Sequence, residues 1–323
     1  MRVTVLAGGI GGARFLTGLR SLGHDITVIG NTGDDATMWG LRICPDLDTV
    51  MYTLGNGISA ERGWGREDET FRIKEELAAY VRAAGADDAP DWFGLGDLDI
   101  ATHVLRTMWL RDGVPLSEVT RRLCARWRPG VTLLPATDDP VETHVTLVDG
   151  RVVHFQEWWV RLHAQVAAHR IELTGAAAAR PAPGVLEAID RADVVVLPPS
   201  NPVVSVGAIL AVPGVADAVR RTAAPVVGLS PIIGGAPVRG MADACLATIG
   251  VATNARAVAT HYGRRSGGGL LDGWLVDEAD KDDADRLVEE GLPTRAAPLL
   301  MTDLASTATM AQAALDLAAE VRR

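Results

Sequence analysis

The sequence has little of three things: cysteine, positive charge and long apolar stretches. The three cysteines, Cys44, Cys124 and Cys245, lie far apart and include no Cys-x-x-Cys pair. Local spacing therefore predicts no thiolate metal site, and a reducing compartment is the expected environment.

Positive charge is outnumbered, because 31 lysine and arginine residues stand against 41 aspartate and glutamate residues, giving a formal net charge of -10. Nucleic acids and anionic membranes are themselves negative, so we expect neither as a general partner. An acidic chain can still bind phosphate at one local site.

No apolar run reaches the roughly 18 residues that a membrane helix requires. The apolar start "MRVTVLAGGIGGARF" is interrupted by glycine before it attains the length of a signal-peptide core. We therefore expect a soluble, cytoplasmic protein.

The first thirty residues predict a βαβ unit. "RVTVLA" is typical of a strand, "ARFLTGLRSLG" of a helix and "DITVIG" of a second strand. The crossover should be right-handed and the sheet parallel. Three later segments, "ADVVVLPPSNP", "APVVGLSPIIGG" and "AAPLLMTD", predict further strands that run into loops, and the last precedes an amphipathic helix. Ligands bind beyond the carboxyl ends of such strands, so the loops should converge on one crevice.

The middle of the chain differs from the two ends in its predicted secondary structure. Residues 55–130 predict a helical insertion, a candidate lid or acceptor and dimer region, with helices in "EDETFRIKEELAAYVRAAG", "DIATHVLRTMWLRDG" and "LSEVTRRLCARW". Residues 131–160 predict a β-hairpin that turns at Asp149 and Gly150.

The glycine run "GGIGG" follows the first strand. Backbone N–H groups of Gly8, Gly9, Gly11 and Gly12, at the start of a helix, are suited to phosphate oxygens. The dinucleotide fingerprint would need a third glycine where Arg14 stands, although Arg14 offers a fixed positive charge instead. The alternative is a tight structural turn.

Four carboxylates, Asp34, Asp35, Asp46 and Asp48, lie close behind the second predicted strand in "NTGDD" and "CPDLDT". Two unit charges 4 Å apart repel by about 4 kcal/mol at an effective dielectric constant of 20. This crowding predicts a cation, and Asp34 and Asp48 are the expected ligands of Mg²⁺. The alternative is that each aspartate caps a turn or helix.

Two loops and one aromatic segment supply the remaining candidates. Hydroxyl, amide and glycine groups suited to a nucleotide occur at the ends of two later strands, although the same residue types dominate ordinary turns; they are Ser200, Asn201, Ser230, Gly234 and Gly235. Trp64 could stack on a flat heterocycle, and His103 follows the acids of "GLGDLD", although core packing and structural hydrogen bonding are the alternatives.

Several of these motifs occur together in a recognisable order: "GGIGGARF", "NTGDD", "CPDLDTVMYTLG", "GWG", "GLGDLDIATH", "PPSNPVVSVGAIL" and "SPIIGG". In this order the chain resembles the 2-phospho-L-lactate transferase family of coenzyme F420 biosynthesis. "HFQEWWVR" and "GLLDGWLV" resemble its actinobacterial phosphoenolpyruvate transferase branch.

The resemblance implies a single domain over residues 1–323, with a Rossmann-like, doubly wound, mainly parallel α/β sheet, and a homodimer. It also implies Mg²⁺-dependent transfer of a phosphoenolpyruvyl or 2-phospho-L-lactyl group from a guanosine-diphosphate-linked donor to the deazaflavin Fo. GMP is released, and the product is dehydro coenzyme F420-0 or F420-0.

Carried over by position, the family roles are expectations for this chain. Catalysis or metal binding falls to Asp34, Asp35, Asp46 and Asp48, and the glycine run and two later loops form the nucleotide site. Acceptor contacts are expected from Asp46, Thr49, Trp64, Asp97 and His103. One departure is Leu98, where many relatives carry an arginine associated with the deazaflavin; Arg106 or Arg72 is the candidate substitute.

Two other function classes remain open on sequence. An NAD(P)-dependent oxidoreductase would use the glycine turn for the dinucleotide and Asp34 or Asp35 for the ribose hydroxyls. A nucleotide-sensing protein would bind the same ligands without forming product. The absent third glycine and the surplus acids favour the transferase.

Overall fold

The computed structural model describes residues 1–85 and 89–322. Within these residues, strands and helices alternate along most of the chain. The strands are β1 Arg2–Ala7, β2 Asp25–Gly30, β3 Ala36–Met38, β4 Leu41–Ile43, β5 Thr132–Pro135, β6 Glu142–Leu147, β7 Val152–His154, β8 Ala168–Thr174, β9 Val194–Leu197, β10 Val226–Leu229, β11 Ile232–Ile233, β12 Ala236–Pro237, β13 Gly273–Val276 and β14 Thr294–Ala296. The α-helices are α1 Gly9–Ser21, α2 Pro45–Leu54, α3 Arg72–Ala83, α4 Asp97–Arg111, α5 Leu116–Trp127, α6 Val185–Asp190, α7 Val206–Ala211, α8 Val215–Arg221, α9 Ala242–Thr248, α10 Ala255–Tyr262, α11 Lys281–Glu289 and α12 Leu304–Glu320.

The central sheet has the order β14-β13-β10-β9-β1-β2-β5, and every neighbouring pair in it is parallel. The strand order reverses between β1 and β9, where Val3 pairs with Ile26 on one side and with Val194 on the other. This confirms the predicted doubly wound, mainly parallel fold. The reversal also creates a crevice between the loops that follow β1 and β9.

Both faces of the sheet are covered, as the unbroken apolar runs of its strands require. Val3 and Val5 of β1 face a core shared with α1, α2, α5 and α12, whereas Leu6 faces a core shared with helices α6 to α11. Because side chains alternate along a strand, a single run such as "RVTVLA" serves both cores.

The middle region contains α3, α4 and α5 within residues 55–130, as helices were predicted there. The following segment is divided differently from the prediction. β5 joins the central sheet beside β2, with Thr27 opposite Thr132, and only β6 and β7 form the hairpin. β8 pairs with β6 to complete a three-stranded antiparallel sheet.

The predicted strand in "AAPLLMTD" is wrong. β14 begins two residues before this segment and ends at Ala296, and residues 298–302 form a loop. Pro298 explains the difference, because it has no N–H group to donate to the sheet. The helix that follows is confirmed, and Asp303 and Ser306 close its start with reciprocal hydrogen bonds. Among the described residues, no helix combines the length and the apolar character needed to cross a membrane.

Candidate active site

The loops at the carboxyl ends of β1, β2, β9 and β10 surround one cavity of about 700 Å³. It lies at the reversal of strand order, where sheets of this type bind ligands. The predicted site residues that line it are Gly8, Gly9, Gly11, Arg14, Asp34, Asp46, Asp48, Thr49, Trp64, His103, Ser200, Asn201 and Ser230. The convergence of the loops on one crevice is therefore seen in the structure.

The glycine run is needed because other groups approach its backbone closely. A Cβ atom on Gly8 would lie 2.5 Å from Oδ2 of Asp46, and one on Gly11 would lie 2.3 Å from the carbonyl oxygen of Pro199. Gly9 has φ of +65°, which glycine adopts without strain. Arg14 lies exposed one turn into α1 and also lines the cavity. The loop thus brings backbone N–H groups and one guanidinium group to the cavity wall.

The loop after β9 is tied to the glycine run. The Ser200 hydroxyl donates to the carbonyl oxygen of Gly8 at 2.7 Å and accepts from the Gly8 N–H group at 3.3 Å. Asn201 Oδ1 accepts from the N–H groups of Val203 and Val204 at 2.9 and 3.3 Å. The Asn201 bonds are the turn chemistry considered as the alternative, whereas the Ser200 bonds hold two loops of the cavity together.

Asp34 and Asp46 are both buried at the cavity wall and repel each other. Burial raises the pKa of Asp46 to about 6, although hydrogen bonds from Asn31 and the Gly9 N–H group oppose the change. Burial, followed by the charges of Asp46 and Asp35, raises the pKa of Asp34 well above its ordinary value. In the described part of the chain, no basic side chain forms an ion pair with Asp34 or Asp46.

Asp35 lies behind the cavity wall and is not among the lining residues. The Arg42 guanidinium group is 3.8 Å from its carboxylate. Burial raises the pKa of Asp35 to about 7, opposed by Arg42 and by a hydrogen bond from Cys44. Of the four aspartates expected to serve in catalysis or metal binding, Asp34, Asp46 and Asp48 line the cavity and Asp35 does not.

Asp48 has a different environment from Asp34, because Arg106 pairs with it. Arg106 Nη1 donates to Oδ2 of Asp48 at 3.0 Å, and Nη2 donates to Oδ1. One ligand atom each from Asp48, Asp99 and His103 lie within 4.8 Å of one another. Burial alone would raise the pKa of Asp99, but the neighbouring His103 and a hydrogen bond from Tyr52 hold it below its ordinary value. Of the two predicted Mg²⁺ ligands, Asp48 thus has a basic partner, whereas Asp34 has none among the described residues.

Four further predicted residues lie outside the cavity lining. Asp97 accepts hydrogen bonds from the Thr70 hydroxyl and the Ile73 N–H group. Gly234 and Gly235 form the turn between β11 and β12, and the Gly234 N–H group donates to Asp280. Gly12 faces Ser200, where an added Cβ atom would lie 2.6 Å from Oγ.

Leu98 is 41% exposed and does not line the cavity. Its carbonyl oxygen accepts a hydrogen bond of 2.7 Å from Arg66. Arg106, one candidate substitute for the arginine expected at this position, pairs with Asp48 through both terminal nitrogens and is absent from the cavity lining. Arg14 and Arg239 are instead the arginines that line the cavity.

Several lining residues had no predicted role in the site. They include Tyr52, Phe93, Asp99, Phe155, Gln156, Trp159, Ser205, Arg239 and the loop Leu299–Thr302. Asp99 had a usable signal, because it stands two residues after Asp97 in the same motif. Tyr52 had one too, because it follows Asp48 by four residues on one face of α2.

Comparison with known proteins assigns the chain to a family. The family model described as 2-phospho-L-lactate transferase CofD matches residues 3–306. The chain belongs to the CofD family. The matched residues include all of the central sheet except Arg2 and every loop that lines the cavity.

Relatives of this CofD family member are similar along their full length. A protein named phosphoenolpyruvate transferase from Streptomyces coelicolor is 62% identical, covering 100% of this chain and 99% of the relative. One of the same name from Thermobifida fusca is 61% identical with the same coverage, and one from Mycobacterium sp. (strain JLS) is 55% identical over 98% of this chain and 99% of the relative.

The crystal structure of protein BH3568 from Bacillus halodurans matches with a TM-score of 0.63. It is 20% identical and covers 97% of this chain and 99% of that protein. At this identity the likeness concerns the fold alone, and it agrees with the architecture described above.

Proposed function

We propose that this CofD family member transfers a phosphoenolpyruvyl group from a guanosine-diphosphate-linked donor to the deazaflavin Fo in coenzyme F420 biosynthesis. GMP leaves, and dehydro coenzyme F420-0 is formed; a 2-phospho-L-lactyl donor would give F420-0. The observation that carries the proposal is full-length similarity, at 55–62% identity, to actinobacterial proteins named phosphoenolpyruvate transferase. The family description also favours a transferase over the NAD(P)-dependent alternative.

The glycine run and Arg14 support binding of the donor diphosphate. Helix α1 begins at Gly9, so its first N–H groups and the positive end of its dipole face the cavity. Arg14 adds a fixed charge that can pair with phosphate oxygens in two-pronged geometry. Ser200 fixes the backbone of Gly8, and thereby the direction of the neighbouring N–H groups.

The carboxylates support a Mg²⁺ ion at the same wall. Asp34 and Asp46 are buried, adjacent and without a basic partner among the described residues, and hard oxygen ligands of this kind suit Mg²⁺. Bound Mg²⁺ would supply the positive charge that lets these carboxylates and a diphosphate lie close together. Asp48 fits this role less well than expected, since Arg106 already balances its charge.

The remaining wall supports binding of the acceptor. Tyr52, Asp48, Asp99 and His103 present a row of hydrogen-bonding groups to the cavity, and the aromatic ring of Trp64 lies at its edge, 40% exposed. Phosphoryl transfer depends mainly on positioning and charge neutralisation. An oriented carboxylate such as Asp48 can hold the attacking ribityl hydroxyl in line with the phosphorus atom.

Mass spectrometry of the product tests the proposal. Purified protein is incubated with Mg²⁺, Fo and either the enolpyruvyl or the lactyl guanosine donor. We expect a product from the enolpyruvyl donor that is lighter, by two hydrogens, than the product from the lactyl donor. Absence of product with both donors, together with thermal stabilisation by NAD but not by GMP or GDP, would support the oxidoreductase instead.

A further inference from the structure

Two helices that border the cavity are joined by a buried row of polar side chains. Asp48 and Tyr52 lie four residues apart on α2, and they face Asp99, His103 and Arg106 on α4. Asp48 pairs with Arg106, and the Tyr52 hydroxyl donates to Oδ1 of Asp99 at 2.7 Å. The two pairs lie about one helical turn apart on α2 and about two turns apart on α4, so together they fix the register of α4 against α2.

Arg106 differs from the other members of this row. It is 1% exposed, and it is the member that does not line the cavity. Its guanidinium group donates hydrogen bonds to both oxygens of Asp48. Both bonds are kept in only one orientation of that carboxylate. A lysine ammonium group is a point charge and cannot make the same two-pronged contact.

Arg106 also determines which nitrogen of His103 carries the proton. Nη1 of Arg106 lies 3.1 Å from Nδ1 of His103, and arginine can only donate, so Nδ1 is the acceptor. The proton of the His103 ring is therefore on Nε2, which lies 3.3 Å from Oδ2 of Asp99. Arg106 therefore holds the ring at Nδ1, whereas Nε2 has no hydrogen-bond partner among the described residues and remains free for a group in the cavity that His103 lines.

We infer that Arg106 is a positioning residue for acceptor binding: it acts through Asp48 and His103, which line the cavity, and does not touch substrate itself. The inference rests on the proposed function for the identity of the acceptor. The geometry on which it depends, a buried two-pronged ion pair and a fixed imidazole tautomer, does not rest on that function.

Kinetics of three variants test the inference. We expect Arg106→Lys to raise the KM for Fo by about tenfold or more, because the two-pronged contact is lost, while the KM for the guanosine donor changes by less than about threefold. The double variant Asp48→Asn with Arg106→Gln removes both charges and should stay folded with the Fo KM still raised. Arg111→Met, at the exposed end of the same helix, is the matched control.

A spectroscopic measurement keeps the inference separate from the proposed function. In protein labelled with ¹⁵N-histidine, His103 should show the neutral tautomer protonated at Nε2, and Arg106→Lys should alter that signal; His103→Gln identifies the resonance. Unchanged KM values for both substrates in folded Arg106→Lys, or a wild-type His103 protonated at Nδ1, would overturn the inference. If wild-type protein forms no product, the proposed function fails. The role of Arg106 is then still tested by the His103 tautomer and by Fo binding measured from tryptophan fluorescence.

Discussion

Asn31 Nδ2 donates a hydrogen bond to Oδ2 of Asp46 at 2.9 Å, and both side chains are buried. The same amide group donates to the carbonyl oxygen of Val204 at 3.0 Å, while Oδ1 accepts from the Gly33 N–H group at 2.8 Å. One asparagine therefore joins the end of β2 to the first turn of α2 and to the loop after β9. It needs both a donor and an acceptor, which an aspartate at this position would not provide.

Replacement of Asn31 by aspartate should therefore damage the site although the side chain keeps its shape. The new carboxylate would face Asp46 and the Val204 carbonyl oxygen, and we expect a loss of stability of about 2–4 kcal/mol together with a large loss of turnover. Chemical denaturation and steady-state kinetics measure the two effects. Asn56→Asp, in an exposed turn, is the control, and equal effects of the two substitutions would contradict this account.

The contact between Gly11 and Pro199 gives a second expectation, which concerns the junction of α1 with the loop after β9. In Gly11→Ala the new methyl group would lie 2.3 Å from a backbone oxygen, so the two segments must move apart. We expect destabilisation of about 1–3 kcal/mol and a raised KM for the guanosine donor. Gly267→Ala serves as the control, because a Cβ atom there meets nothing within 4 Å; a harmless Gly11→Ala would show that the close approach is unimportant.

Much of this site was predictable from sequence because its parts follow strands closely. Short runs rich in β-branched residues locate β1 and β2, and glycine and aspartate residues at their ends must then lie at one edge of a parallel sheet. Arg106 was not predictable in its role, since its pairing with Asp48 depends on how α4 packs on α2. Such packing arises from contacts between distant segments and leaves no local signature.

Asp97 and Asp99 also show that the sequence alone does not determine which side chains face the site. Successive residues of a helix are rotated by about 100°, so residues two apart face nearly opposite sides. Asp97 accepts hydrogen bonds from the Thr70 hydroxyl and from the Ile73 N–H group in the first turn of α3, whereas Asp99 faces Tyr52 and the cavity. The sequence places both in one acidic motif, and only the helix start decides which of them reaches the site.

The raised pKa of Asp35 makes stability depend on pH. An unfolded aspartate has a pKa of about 3.9, and the folded value is about 7, so the folded state binds the proton more tightly. The resulting stabilisation is complete below about pH 4 and is lost as pH rises through 7. We expect Asp35→Asn to gain stability relative to wild type by on the order of 2 kcal/mol between pH 5 and pH 8.

Denaturant titrations at several pH values in the presence of a chelator measure this difference, since a bound cation would change the balance of charge. Asp112→Asn, at the exposed end of α4, is the control and should show no such gain. A stability difference between Asp35→Asn and wild type that stays constant from pH 5 to pH 8 would contradict the assigned cause, which is burial of the carboxylate.

Substitution of a carboxylate should affect Mg²⁺ binding according to whether that carboxylate has a basic partner. Asp34 and Asp46 have none among the described residues, whereas Asp48 pairs with Arg106. We expect a chelator to abolish turnover and added Mg²⁺ to restore it. Asp34→Asn and Asp46→Asn should each weaken Mg²⁺ binding by about tenfold or more, because they remove charge from the pair that repels most strongly. Asp48→Asn should weaken it far less, since Arg106 already neutralises that carboxylate.

Isothermal titration with Mg²⁺, in the presence and absence of GDP, measures these affinities without relying on turnover. The charge argument also sets the order of stabilities in chelator: Asp46→Asn should be more stable than wild type at pH 8, because it relieves a buried repulsion, whereas Asp48→Asn should be less stable, because it leaves Arg106 buried without its partner. If Asp48→Asn alone abolished Mg²⁺ binding, the ion would have to sit among Asp48, Asp99 and His103 instead. Arg106 would then have to release Asp48 when the ion binds, and the His103 tautomer should change on addition of Mg²⁺.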